Sequence, residues 1–126
     1  MSEPTPPTLA AQFAQRLLER DAPPPPPSQE LEAVLDRIQA WLLPPGGTRD
    51  TRTHRRQARM LVALMQHPER STEQLTAASG LEWRAGSRMS LVLFERGLTH
   101  RERRGRYFYH RLTRAAEDAL LLVVAG

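Results

Sequence analysis

The chain has 126 residues and a formal net charge of +4, with 18 arginines and neither lysine nor cysteine. That length suits one domain plus an appendage and leaves no room for a large active-site cleft. The lack of cysteine excludes disulfides and thiolate metal sites, and the longest apolar run, ALLLVVA at 119–125, is too short to span a bilayer.

The opening MSEPTPPTLA lacks a basic segment followed by an apolar one, so it does not read as a secretory signal, and a cytoplasmic protein is expected. Residues 1–8 are expected to be disordered. Thr8 then caps a first helix, with Leu9, Phe13 and Leu17 on one stripe and an end near Asp21. Five prolines at 23–27 form a stiff spacer, after which Ser28 caps a second helix. Its apolar positions Leu31, Val34, Leu35, Ile38, Trp41 and Leu42 follow helical spacing until the Pro-Pro-Gly-Gly at 44–47 stops it. Each of these amphipathic helices needs a second surface, supplied by the rest of the chain, by a second copy or by a partner protein.

The boundary near residue 47 is also a boundary in charge. Residues 1–47 hold 3 arginines and 6 acids, whereas residues 48–126 hold 15 arginines and 8 acids. Clustered arginines gain by releasing counterions from a phosphate backbone, so 48–126 is a candidate polyanion-binding domain behind a helical appendage at 1–47. All-arginine usage by itself fits GC-rich coding equally well and carries little weight.

In the basic part, a helix runs from Thr53 to about Gln66, with Ala58, Leu61, Val62 and Met65 inward, and Pro68 breaks the pattern. Ser71 with Gln74 three residues later is a capping box for a short helix that ends at Gly80. A longer helix follows over 83–96 with Gly97 as its C-cap, then two strands around Gly105, then a last helix after Thr113 bearing Ala116, Ala119, Leu120 and Val123. The predicted fold class is mainly α with a small β-hairpin: a winged helix-turn-helix domain preceded by N-terminal helices.

The stretch STEQLTAASGLEWRAGSRMSLVLFERGL resembles winged helix-turn-helix regulators of the MarR, ArsR and PadR type. The resemblance lies in Leu75, in Gly80-Leu81 and Gly97-Leu98 set 17 residues apart, and in the YHRLT at 109–113 that closes the second wing strand. It covers about residues 55–124. Two recognition-helix positions where a branched apolar residue is usual carry Gly86 and Ser90 instead, and Trp83, Met89, Val92 and Leu93 are the candidates to supply the missing bulk.

The resemblance implies sequence-specific binding of double-stranded DNA by a transcriptional regulator. Arg84 and Arg88, four apart on one helix face, are positioned to pair with guanine edges, with Ser87 between them. Ser71 and Thr72 open the preceding helix and offer hydroxyl and N–H groups to a phosphate. The wing RERRGRYFYHRLT at 101–113 carries five arginines and one acid. With Arg104, Gly105 and Arg106 as its tip, Leu98 faces Leu112, Phe108 and His110 point inward, and Arg101, Arg103, Tyr107, Tyr109 and Arg111 point outward. A two-residue loop would exchange the faces. Under either register the tip arginines suit phosphates or the minor groove.

One recognition helix and one wing cover few base pairs, so a homodimer is expected, with contacts from the helices at 28–43 and 114–124. The alternatives are a protein–protein adaptor, with the N-terminal helices holding a partner, or an accessory factor in replication, phage or plasmid biology. No enzyme, cofactor, metal site or membrane role is expected, because His54, His67, His100 and His110 lack metal-ligand spacing and no nucleophile motif occurs.

Overall fold

The computed structural model describes residues 8–23, 25–43 and 51–126. The disorder expected at 1–8 lies outside these residues except for Thr8, which is the ordered cap of the first helix, and one proline of the spacer and the Pro-Gly stop at 44–47 also lie outside them. In chain order the elements are α1 Leu9–Asp21, α2 Leu31–Leu42, α3 Thr51–Gln66, β1 Arg70–Ser71, α4 Thr72–Ala78, α5 Trp83–Glu95, β2 Thr99–Arg104, β3 Tyr107–Leu112 and α6 Arg114–Ala125. Among the described residues, no helix is long and apolar enough to cross a membrane.

The helix ends follow local chemistry. The Thr8 hydroxyl accepts from the Ala11 N–H, and the Thr113 hydroxyl accepts from the Ala116 N–H, each satisfying a backbone donor that the helix leaves open. In α4 both arms of the capping box are present: the Ser71 hydroxyl accepts from the Gln74 N–H, and the Gln74 side chain accepts from the Ser71 N–H. The α2 start differs from expectation. Its cap position is Glu30, without a side-chain cap bond, and the Ser28 hydroxyl accepts from the Glu30 N–H instead. After α4 and α5 the chain reverses through Gly80 and Gly97, with φ of 68° and 76°. A side chain with a Cβ rarely adopts that left-handed conformation.

A single core joins α2 to α3, α4, α5, α6 and the sheet. Val34, Leu35, Ile38 and Leu42 of α2 pack with Ala58, Leu61 and Leu64 of α3, Leu75 of α4, Leu93 of α5 and Leu120 of α6. Burying each large aliphatic side chain contributes roughly 2 kcal/mol. Most of the α2 stripe is therefore consumed inside one protomer, leaving Leu31 exposed. Polar bonds fasten the same joint: Arg96 at the end of α5 donates to the Gln57 side chain at 2.8 Å and to the Leu42 carbonyl at 2.9 Å. On α3 the buried face is rotated from the expected one, since Met60 and Leu64 are buried while Met65 is exposed. No residue of α1 is buried.

The hairpin is part of a three-stranded antiparallel sheet in the order β1-β3-β2, the short β1 having gone unpredicted. The wing register is set by a two-residue turn, Gly105-Arg106, that pairs Thr99 with Leu112, Arg101 with His110, Arg103 with Phe108 and Arg104 with Tyr107. Leu98 consequently does not face Leu112. Arg101 and Arg103 share the face of Phe108 and His110, whereas Glu102 and Arg104 share that of Tyr107 and Tyr109. The single outer face expected for Arg101, Arg103, Tyr107, Tyr109 and Arg111 is thus split in two. A glycine at φ 62° in the first turn position accounts for it, because a glycine-first two-residue turn matches the strand twist.

Candidate nucleic-acid interface

The recognition helix α5 presents Arg84 and Arg88 to solvent near its N-terminus. Among the described residues neither guanidinium is ion-paired. The opposite face of the helix enters the core through Met89 and Leu93. Gly86 lies against α4: a Cβ built there meets the Thr76 side chain, lying 2.7 Å from its Cβ and nearer still to Oγ1 and Cγ2. Absence of a side chain at 86 therefore lets α4 and α5 cross closely. Ser90 is buried beside it, its hydroxyl donating to the Ser87 carbonyl at 2.8 Å.

Between α5 and the wing lies a crevice of about 280 Å³ lined by Thr72, Glu73, Trp83, Ser87, Ser90, Arg101, Arg106, Tyr107 and Phe108. It gathers five of the predicted contact residues: Thr72, Ser87, Arg101, Arg106 and Tyr107. It also contains Trp83, which the amphipathic pattern assigned to the core and which is 58% exposed. The reason is its place as the first residue of α5, where the helix has not yet turned toward the core. The Arg101 guanidinium stacks over the Phe108 ring at 3.7 Å from the centroid, which holds the charge at the crevice wall. Arg106, in the turn, makes no ion pair among the described residues.

The remaining predicted residues have other work. Ser71 is buried, its hydroxyl accepting from the Gln74 N–H and its N–H donating to the Gln74 side chain, which fixes the start of α4 at Thr72. Arg103 donates to the Gly105 carbonyl across the turn at 3.2 Å. Arg104 folds back over the other face of the wing. It bonds both carboxylate oxygens of Glu69, at 2.7 and 2.6 Å, and Glu102 at 2.9 Å, and lies 4.7 Å from the Tyr109 ring centroid. These hydrogen bonds raise the Arg104 pKa above its ordinary value and hold the Glu69 carboxyl below the usual carboxylate range. Arg104 and Tyr109 therefore pin the wing to the segment before β1 and are not a free tip.

His110 sits where wing, β1 and α4 meet. Its Nε2 is 2.7 Å from the Thr72 hydroxyl, its Nδ1 is buried without a hydrogen-bond partner among the described residues, and Arg70 of β1 and Arg101 of β2 are its strand neighbours. Burial first, and the Arg101 charge second, lower its pKa from 6.5 to about 4. The folded state thus binds fewer protons than the unfolded chain between these values. Stability is intact above pH 6.5, declines as pH falls through this window and is lower by roughly 3 kcal/mol below pH 4. Chemical unfolding at pH 7 and pH 4 is expected to show this extra loss in the wild type and not in His110→Gln. An equal pH dependence in both would remove His110 as the cause.

Three helices, a close α4–α5 crossing, a strand-edged wing and a closing helix define a winged helix-turn-helix. No protein-family model matches the chain, and no curated protein matches it. Solved structures do. The MarR family transcriptional regulator SPO1453 from Silicibacter pomeroyi superposes with a TM-score of 0.54 at 20% identity, over 93% of this chain and 71% of that one. RV1404 from Mycobacterium tuberculosis gives 0.56 at 21% identity, over 94% and 73%. A mutant of MarR from E. coli gives 0.54 at 13% identity, over 97% and 76%. At these identities the likeness establishes the fold, and its extent takes in the N-terminal helices as well as the basic part.

Proposed function

We propose that the protein is a transcriptional regulator that binds double-stranded DNA as a homodimer. The observation that carries this reading is a set of exposed guanidiniums without ion pairs among the described residues, Arg84 and Arg88 on α5 and Arg106 on the wing turn, the last lining a crevice between α5 and the wing with Thr72, Ser87 and Tyr107. In such an arrangement α5 enters the major groove and the wing follows the strand into the neighbouring minor groove. The fold likeness to regulators of the MarR family supports the same reading.

The dimer surface is assigned to α1 and α6. Leu9, Phe13 and Leu18 of the first are 82%, 59% and 68% exposed, and Leu121 and Leu122 of the last are 69% and 74% exposed. Apolar side chains at that density on short helices gain from a second copy. Two recognition helices related by a two-fold axis then read half-sites one helical turn apart, about 34 Å.

Binding measured against salt tests the proposal. If each protomer neutralises about 6 phosphates, log affinity falls with log salt at a slope near −5 per protomer. Arg106→Ala is expected to flatten that slope by about one. Arg104→Ala acts instead on the wing's attachment. A response independent of salt rejects DNA binding.

A further inference from the structure

We infer that a second arginine row, Arg52, Arg56 and Arg59 on α3, is a further contact surface for the phosphate backbone of duplex DNA; this rests on the DNA-binding reading above. α3 carries four arginines within two turns, and the structure separates them into two groups. Arg55 turns toward α2, where it bonds Glu32 and, at 2.6 Å, Asp36, and also reaches the Gln39 side chain at 3.3 Å. That arginine is an internal clamp between α2 and α3. Arg52, Arg56 and Arg59 recur at the i, i+4, i+7 spacing of one helix stripe and have no ion pair among the described residues.

The stripe has a definite place. The three side chains line a groove of about 570 Å³ whose far wall is the helix-turn-helix turn, Gly80, Leu81 and Glu82, with Ala85 of α5. The row therefore runs toward the N-terminal end of the recognition helix, the end that a major groove receives. Of the two carboxylates in the groove, Asp36 is already held by Arg55, leaving Glu82 against three unpaired guanidiniums. Phosphates flanking the groove entered by α5 would meet this row, whereas the wing contacts the strand on the opposite side of the helix.

The first of these charges also does not serve its own helix. Like α1 and α5, α3 has no acid in its first turn, and it carries Arg52 there, at the positive end of the helix dipole. A cation at that end, unpaired among the described residues, opposes helix formation. A polyanion laid across the row removes the conflict and gains the counterion release that arginine rows obtain from duplex.

The test uses the full chain and a duplex of about 30 base pairs of random sequence, with affinity followed from about 50 to 200 mM salt. Arg52→Ala/Arg56→Ala/Arg59→Ala is expected to make the slope of log affinity against log salt less steep by about 2 to 3, near 0.9 for each lost phosphate contact. The matching triple lysine variant retains the wild-type slope, since an ammonium also neutralises phosphate. An alanine variant with the wild-type slope overturns the inference, as does equal loss of binding in both triple variants at every salt concentration, which marks a structural role. A wild type that is itself insensitive to salt overturns the DNA reading as a whole, a result distinct from either.

Discussion

Replacing Arg84 and Arg88 together by alanine is expected to lower affinity for a cognate duplex by roughly 1,000-fold or more per dimer, which loses four such side chains, while changing binding to random duplex only a few-fold. Each guanidinium can form a bidentate pair with guanine O6 and N7, worth about 1–3 kcal/mol of discrimination. Both are exposed, lie four apart on the same helix, and project from a helix whose other face is fixed in the core by Met89 and Leu93. A duplex enriched by the wild-type protein from a randomised pool supplies the cognate site. Equal losses on enriched and random duplex would reduce the two side chains to phosphate contacts. Lysine substitutions separate the same two roles, because a point charge keeps phosphate affinity and loses the fork geometry that reads guanine.

Gly86→Ala is expected to destabilise the fold by about 2 kcal/mol, against the common result for a glycine inside a helix, where alanine stabilises by about 1 kcal/mol. The Thr76 side chain that a new Cβ would strike cannot easily swing away. It is buried, and its hydroxyl donates to the Thr72 carbonyl at 2.7 Å. The two helices must therefore separate or Thr76 must give up that bond. Thermal unfolding should show a fall of about 8 °C. Thr76→Ala in the same chain should recover part of the loss, since it removes the two nearest atoms, and the pair of substitutions should be non-additive. A rise in melting temperature on Gly86→Ala alone would contradict the close crossing. The same variant should bind duplex less well, because the α4–α5 angle sets where Arg84 and Arg88 point.

The helix-turn-helix was legible wherever a local chemical rule governed it. The Ser71–Gln74 box, the glycines at 80 and 97, and the Thr8 and Thr113 caps each act within four residues, and each stands where the pattern put it. What stayed hidden depended on contacts distant in sequence. The wing register turned on one residue, and Gly105-Arg106 was the readable signal for it, since glycine in the first turn position favours a two-residue loop. Arg104 was read as a free tip because nothing near it in sequence except Glu102 reveals the Glu69 carboxylate 35 residues earlier. Gly86 departs from the branched apolar residue usual at its position, and the reason lies in Thr76 on another helix. Trp83 was assigned inward on hydrophobicity, yet the core already closes over Met89 and Leu93, leaving the indole at the crevice. Which α3 arginine meets Glu32 and Asp36 is decided by the placement of α2, a contact distant in sequence.

A 13-residue helix with none of its side chains buried has little to hold it together in water. In the proposed dimer, coiling of the α1 backbone and docking of Leu9, Phe13 and Leu18 onto the second copy amount to one coupled equilibrium. Its order should accordingly rise with protein concentration, and the separated protomer should be the less helical species. Dilution alone would then loosen the amino-terminal arm before it disturbed the reading head.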